Sequence, residues 1–238
     1  MITYYTKEGK STCADIGHVP LKKLHRLDGP AIELENYSKA WYVNGKRHRI
    51  DGPAVEYDNG DKKWLVDGKL HRLDGPAIER SGGTKEWYVN GKLHKIYGPA
   101  VIDKGCKFWY QKGNLHREDG PAIEWNDGSK AWYKNGVRHR NNKPALIFNN
   151  GRKEWWVNGL RHRLDGPAMT YPNGIKEWWL DGKRHRLDGP SIITDKGDKG
   201  WYINGRKLNT KEIEIWIKLN QINLKTKAHQ TLFMLRFG

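Results

Sequence analysis

The sequence predicts an all-β fold: a repetitive antiparallel meander of β-hairpins, about eight units of 23 residues, followed by a short C-terminal helical cap. Three observations carry that prediction. Trp41, Trp64, Trp87, Trp109, Trp132, Trp155, Trp178 and Trp201 stand 23 residues apart, with one interval of 22. A turn dipeptide follows each of them by three residues, from Asn44-Gly45 to Asn204-Gly205. No run of a dozen residues between 25 and 208 has helical periodicity. A fixed period over that span means stacked units that contact mainly their neighbours.

In chain order, residues 1–24 precede the first full unit and are expected to form a terminal cap that begins with the strand Ile2–Thr6. Residues 25–208 form the array. Within it, residues 85–96 (Lys-Glu-Trp-Tyr-Val-Asn-Gly-Lys-Leu-His-Lys-Ile) read as two extended runs about Asn-Gly, which accepts positive φ at both central positions of a type I′ turn. A histidine recurs at the same pitch: His25, His48, His71, His94, His116, His139, His162 and His185. Three residues later comes Asp-Gly-Pro-Ala, intact in five units and altered at Tyr97–Ala100, Asn142–Ala145 and Asp188–Ser191. The proline falls near a strand entrance, where its missing N–H costs least. A second turn signal follows, as at Asp58-Asn59-Gly60 and Asn126-Asp127-Gly128. Two main strands per unit at ~4.8 Å spacing would extend eight units over roughly 75 Å if the array is open, and the sequence leaves closure undecided.

Residues 209–238 change character. Asn209-Thr210-Lys211-Glu212 is a helix start, Ile213, Trp216, Ile217 and Leu219–Ile222 continue with a largely helical apolar pattern, and Leu232-Phe233-Met234-Leu235 adds a second apolar run. Capping an exposed sheet edge is the plain reading of this tail, with a partner-docking helix as the alternative.

For the core, the eight tryptophans are expected to stack into an aromatic spine, each removing on the order of 150–250 Å² from water. Val55, Ile78, Val101, Ile123, Leu146, Met169 and Ile192 are its aliphatic companions. The next residue along points to the opposite face. Tyr133, Trp156 and Trp179 are therefore the candidate exposed aromatics for partner contact, unless a covering strand buries them.

The run Trp-Tyr-Val-Asn-Gly-Lys-Leu-His, a following Gly, an Asp-Asn-Gly or Asn-Asp-Gly turn and then Lys-x-Trp resembles the MORN repeat across about residues 25–208. It departs from that pattern where a basic residue (Arg49, Arg72, Lys95) replaces the glycine after His, and where Gly-Pro-Ala replaces a glycine-rich strand. The array is thus similar to a divergent MORN type, of the kind met in phages and large DNA viruses. The resemblance implies an elongated hairpin scaffold that binds proteins and sometimes anionic phospholipids without catalysis of its own.

Composition sets the outer bounds. The formal net charge is +16, which favours an anionic partner, and the array holds 34 basic against 23 acidic residues. No stretch approaches the ~20 apolar residues of a membrane span, and the first residues show no secretory signal, so a soluble cytoplasmic protein is expected. Cys13 and Cys106 cannot supply a disulfide framework. Two basic columns recur: Lys39, Lys62, Lys85, Lys107, Lys130, Lys153, Lys176 and Lys199 two residues before each Trp, and Arg26, Arg49, Arg72, Lys95, Arg117, Arg140, Arg163 and Arg186 after each His. The second column precedes an Asp by two residues, so local pairing competes with an anion-binding face.

If such a face exists, its candidates are Arg138, Arg140, Arg161, Arg163, Arg184, Arg186, Lys153 and Lys176 in the units around 138–190, where Asn142 removes one acidic partner. Histidines at a step of ~9–10 Å are too far apart to share a metal ion. Each is expected to bridge its own turn, with a shared protonation response near pH 6 as a secondary expectation. No Gly-x-Ser-x-Gly, phosphate loop or His-Glu-x-x-His occurs, so neither an enzyme nor a cofactor site is expected. The expected function is a non-catalytic scaffold binding a protein partner with an acidic surface. Nucleic acid or a nucleotide, and peripheral anionic lipid, are the alternatives.

Overall fold

A computed structural model describes residues 1–36 and 38–238, which divide into two compact units, Met1–His116 and Arg117–Gly238. Both are built from the predicted hairpins. In the first unit, strands Ile2–Thr6 and Gly9–Cys13 pair with each other, and Ile2–Thr6 continues into Ile32–Leu34. From there short strands follow in chain order to Cys106–Phe108, each antiparallel to the last. In the second unit the same meander runs from Ile123–Glu124 to Lys199–Gly200. Each unit's sheet proceeds neighbour to neighbour rather than closing on itself.

Beside each sheet stands a row of two-stranded hairpins, of which Tyr42–Val43 with Lys46–Arg47 is the first. Their turns have positive φ at both central residues, 48° and 74° at Asn44-Gly45 and 50° and 80° at Asn158-Gly159, as a type I′ turn requires. The Trp lies at the bend between sheet and hairpin. Its amide donates to the alanine carbonyl of the next repeat (Trp41 N to Ala54 O, 2.9 Å), and its carbonyl accepts from His48 N at 3.0 Å. The one 22-residue interval arises at the outer turn. At Gly60, Gly83, Gly128, Gly151, Gly174 and Gly197 a three-residue loop ends on a positive-φ glycine, as at Ser81-Gly82-Gly83, whereas Lys104-Gly105 makes a two-residue turn with φ of 45° and 82°.

The core differs from the expected aromatic spine. Trp41, Trp64, Trp87, Trp109, Trp132, Trp155 and Trp178 are half-buried, and among the described residues only Trp201 of the eight is buried. The fully buried column is the alanine of Gly-Pro-Ala: Ala31, Ala54, Ala77, Ala100, Ala122, Ala145 and Ala168, each 0% exposed, with Ser191 in the last unit. Val55, Ile78, Ile123, Leu146 and Met169 pack beside it as predicted, while Val101 and Ile192 are half-buried. Indole is too large for the narrow space at the bend, so a methyl group sits there and the ring lies flat outside it.

Residues 1–24 imitate a repeat. Tyr5 takes the tryptophan position: its amide donates to Ala31 O at 2.9 Å, its carbonyl accepts from His25 N at 3.1 Å, and the Arg26 guanidinium lies 3.9 Å from its ring centre. At the other end are two α-helices among the described residues, α1 (Thr210–Leu219) and α2 (Lys227–Phe237). Asn209 and Thr226 cap them by accepting from Glu212 N and His229 N. Ile213, Leu224, Phe233 and Phe237 cluster with Trp201, Ile203 and Leu208, and the Phe233 ring lies 5.6 Å from Trp201. Trp201 is buried because these helices cover it. No helix among the described residues is long and apolar enough to cross a membrane.

Candidate functional site: the basic columns

The arginine that follows each histidine is held in a cradle. Arg72 stacks on Trp64 with its guanidinium 4.1 Å from the ring centre, and donates to Asp74 Oδ1 (3.0 Å), Pro76 O (3.2 Å) and Glu79 Oε1 (3.2 Å). Arg26 and Arg49 repeat the pattern with Glu33 and Glu56, and Arg117 with Glu124. The guanidinium passes directly over the glycine of Asp-Gly-Pro. A Cβ on Gly75 would stand 2.6 Å from Arg72 Cζ, so a larger residue there would push the guanidinium out of its cradle. Beside Arg72, the Asp74 carboxyl is held below its ordinary pKa by the hydrogen bond it accepts, and Asp28, Asp51, Asp119 and Asp165 are held likewise.

Arg140, Arg163 and Arg186 occupy this cradle position, stacked on Trp132, Trp155 and Trp178 at 3.8, 4.1 and 3.8 Å. Arg163 and Arg186 bond Asp165 and Asp188. Arg140 has Asn142 and Ile147 at the positions where Arg26, Arg49, Arg72 and Arg117 find Asp and Glu, and burial lowers its pKa. Lys95, in the unit with Tyr97 and Ile102, is lowered by burial in the same way, with its Nζ 3.6 Å from the Trp87 ring centre.

Arg138, Arg161 and Arg184 lie elsewhere, on the inner side of the hairpins. Tyr133, Arg138, Trp156, Arg161, Trp179, Arg184 and Tyr202 form one alternating stack with guanidinium-to-ring distances of 4.8–5.4 Å. Below it, Glu154 is 2% exposed and pairs with Arg152 and Arg161 while accepting from Trp156 Nε1 at 2.9 Å. Glu177 accepts from Arg184 Nε and Nη2 at 3.2 and 3.1 Å and from Trp179 Nε1 at 3.1 Å. The structure thus brings Tyr133, Trp156 and Trp179 together with three of the candidate arginines. It places them as half-buried, internally bonded groups rather than the exposed aromatics the sequence predicts. The hairpin folds back over the sheet, so the face opposite each bend tryptophan becomes interior.

The lysine column faces outward, and all eight of its members are exposed. Its surroundings differ between the units. In the first, Lys39 lies opposite Glu33 and Glu56, Lys62 opposite Glu56 and Glu79, and Lys85 opposite Glu79 and Ile102. In the second, Lys130 lies between Glu124 and Ile147, Lys153 between Ile147 and Thr170, Lys176 between Thr170 and Ile193, and Lys199 beside Ile193. Among the described residues, the one ion pair made by this column is Lys199 with Glu214 at 3.5 Å. Lys153 and Lys176 therefore stand on a face without carboxylates in register.

The histidines hold the neighbouring repeat through Nδ1, and His139 in addition places Nε2 2.9 Å from Asn141 Oδ1 in its own loop. His48 Nδ1 accepts from Asp67 N at 3.2 Å, His71 from Asn90 N at 3.2 Å and His139 from Asn158 N at 3.2 Å. Sequence reasoning missed this link because its partners are 19 residues apart. Cys13 and Cys106 are free thiols. No family model matches the chain, and no curated protein sequence matches it.

Proposed function

We propose that the protein is a non-catalytic repeat scaffold that binds an acidic protein surface through the outer sheet face of residues 117–238. One observation carries the reading: exposed Lys153 and Lys176, flanked by Lys130 and Lys199, lie between Ile147, Thr170 and Ile193 rather than between carboxylates. Lysines on every second strand recur at about 9.6 Å. The aliphatic residues between them favour a protein over a phosphate backbone, because a protein surface buries apolar area against them. Non-specific binding of single-stranded nucleic acid draws on exposed stacking platforms, whereas Tyr133, Trp156 and Trp179 are engaged inside. The resemblance to MORN arrays supports the same class of function, and the histidine column supports a non-catalytic one, since its Nδ1 atoms accept turn amides.

Affinity capture with the full chain at low and moderate salt, beside a Lys130→Glu, Lys153→Glu, Lys176→Glu variant, tests the proposal. The expected result is an acidic protein retained by the parent and lost by the variant, with nuclease treatment making no difference. Capture that disappears on nuclease treatment supports nucleic acid as the ligand, and capture only of acidic vesicles supports anionic lipid. Equal retention of the same protein by both chains refutes the lysine face.

A further inference from the structure

The residue between each cradle Arg and its Asp points into solvent through the first unit. Leu27, Ile50, Leu73 and Ile96 are 79, 84, 79 and 69% exposed, and Tyr97 is 88% exposed. Isolated exposed aliphatics are ordinary; four in the same position of successive repeats are a ridge. They flank open niches. Leu27 and Ile50 line one of about 740 Å³ floored by Trp41 and Arg49, and Leu73 and Ile96 line one of about 660 Å³ floored by Trp87 and Lys95. Asp28, Asp51 and Asp74 rim the ridge with side chains 84, 85 and 84% exposed.

The molecule itself shows what such a position accepts. In the last repeat the equivalent residue, Leu187, is half-buried and packs, as Ile222 and Met234 do, against the cluster of Trp201, Ile203, Leu208, Ile213, Leu224, Phe233 and Phe237. The equivalent aspartate, Asp188, is 39% exposed and bonds Lys225 Nζ at 3.0 Å in addition to Arg186. The C-terminal segment thus meets a repeat loop with both features: Leu224 belongs to the apolar cluster on which the leucine packs, and Lys225 bonds the aspartate. That segment is held in place by buried Phe233 and Phe237, so it is not free to cover the other loops. We propose that the ridge Leu27–Ile50–Leu73–Ile96 is a second docking surface, which takes a basic, aliphatic segment of a partner protein. The aliphatic side chains fill the niches and the cations meet Asp28, Asp51 and Asp74. This surface is separate from the lysine face and of opposite charge preference.

The probe is a fluorescein-labelled synthetic peptide with the sequence of residues 220–238, titrated into the full chain by fluorescence anisotropy. Binding in the micromolar range is expected, with affinity falling at least tenfold in the Leu27→Asp, Ile50→Asp, Leu73→Asp variant. A peptide carrying Leu224→Asp and Lys225→Glu should lose affinity to the same extent, and the Lys130→Glu, Lys153→Glu, Lys176→Glu variant should bind the parent peptide unchanged. The three ridge residues are exposed, so the ridge variant should keep the parent thermal melt. A second measurement needs no variant: carbodiimide coupling of the bound peptide, mapped by mass spectrometry, should join its lysines to Asp28, Asp51 or Asp74. Absence of binding up to about 1 mM peptide, equal binding by the ridge variant, or couplings confined to residues 187–238 would each overturn the proposal. So would sedimentation showing a dimer of the parent that the ridge variant abolishes, since the occupant would then be a second copy.

Discussion

In Met1–His116 the cross-strand pair nearest the bend of each hairpin is Tyr42 with Arg47, Leu65 with Leu70, Tyr88 with Leu93 and Tyr110 with Leu115. In Arg117–Gly238 the same register holds Tyr133 with Arg138, Trp156 with Arg161, Trp179 with Arg184 and Tyr202 with Lys207. One backbone plan thus carries two kinds of interior, one of leucine and tyrosine and one made of guanidinium and indole over buried Glu154 and Glu177. The difference teaches where charge goes in such an array. The second unit directs Glu154 and Glu177 inward to pair with its extra arginines, and it places Ile147, Thr170 and Ile193 outside where the first unit places glutamates. Arg161 and Arg184 are paired inside, and Lys153 and Lys176 stand outside with no carboxylate in register.

The largest expected effect breaks the polar interior. Glu154→Ala leaves Arg152 and Arg161 without their carboxylate and Trp156 Nε1 without an acceptor, and should cost about 3 kcal/mol in urea unfolding. The equivalent Glu86→Ala in the first unit loses an Arg80 that is 44% exposed and the Tyr88 hydroxyl, and should cost about 1 kcal/mol. Equal costs would mean that the two interiors are energetically alike. Replacing Gly75 by Ala should rank next. The added Cβ displaces Arg72 from Trp64, Asp74 and Glu79 and should cost about 2 kcal/mol. Gly166→Ala, where the Cβ would stand 3.0 Å from Arg163 Cζ and Thr170 replaces the glutamate, should cost about half as much.

Acid should weaken both units through the same carboxylates. Asp28, Asp51, Asp74, Asp119 and Asp165 have folded pKa values below their ordinary one because an arginine donates to each. Their contribution is therefore present above the unfolded value of about 3.9 and is lost as pH falls through the lower folded value. Stability measured from pH 6 to pH 2 should drop in the lower part of that range. Asp51→Asn with Asp74→Asn should flatten the drop. An unchanged profile in that variant would show that the exposed Arg–Asp bonds contribute nothing to the acid response.

Period, turn type and the C-terminal helices were legible because each rests on local chemistry: positive φ at Asn-Gly, a capping Asn209, an alternation of apolar residues. The pairing of Arg72 with Asp74 was legible as one of two alternatives for the same reason, its two-residue separation. What the sequence hid depends on how the bend folds. Trp64 reads as core by composition, yet Ala77 lies innermost and the indole is covered by Arg72. Arg161 and Glu154 read as surface residues, because nothing local indicates that a hairpin folds over them. Tyr5 escaped the repeat pattern since 20 residues separate it from His25, against seven between Trp41 and His48.

The smallest expected effect sharpens the comparison at a single turn. Lys112, in the first unit, holds φ of 51° where Asn44, Asp67, Asn90, Asn158, Asp181 and Asn204 stand in other repeats. A lysine in that region bears the clash of its Cβ with the following carbonyl, which Asn and Asp offset by local hydrogen bonds. Asn90 N–H already donates to His71 Nδ1 at 3.2 Å, so the gain from Asn at this turn is its tolerance of positive φ rather than a bond from its Oδ1 to the ring. Lys112→Asn should therefore stabilise by about 0.5–1 kcal/mol, seen as a higher urea midpoint at unchanged slope. The reverse change in the second unit, Asn158→Lys at φ of 50°, places a lysine in the same strained region and should destabilise by a similar amount. If neither substitution moves the midpoint, the turn side chain adds nothing to the His-to-amide link, and the backbone bond from Lys112 N to His94 Nδ1 at 3.1 Å holds neighbouring repeats in register by itself.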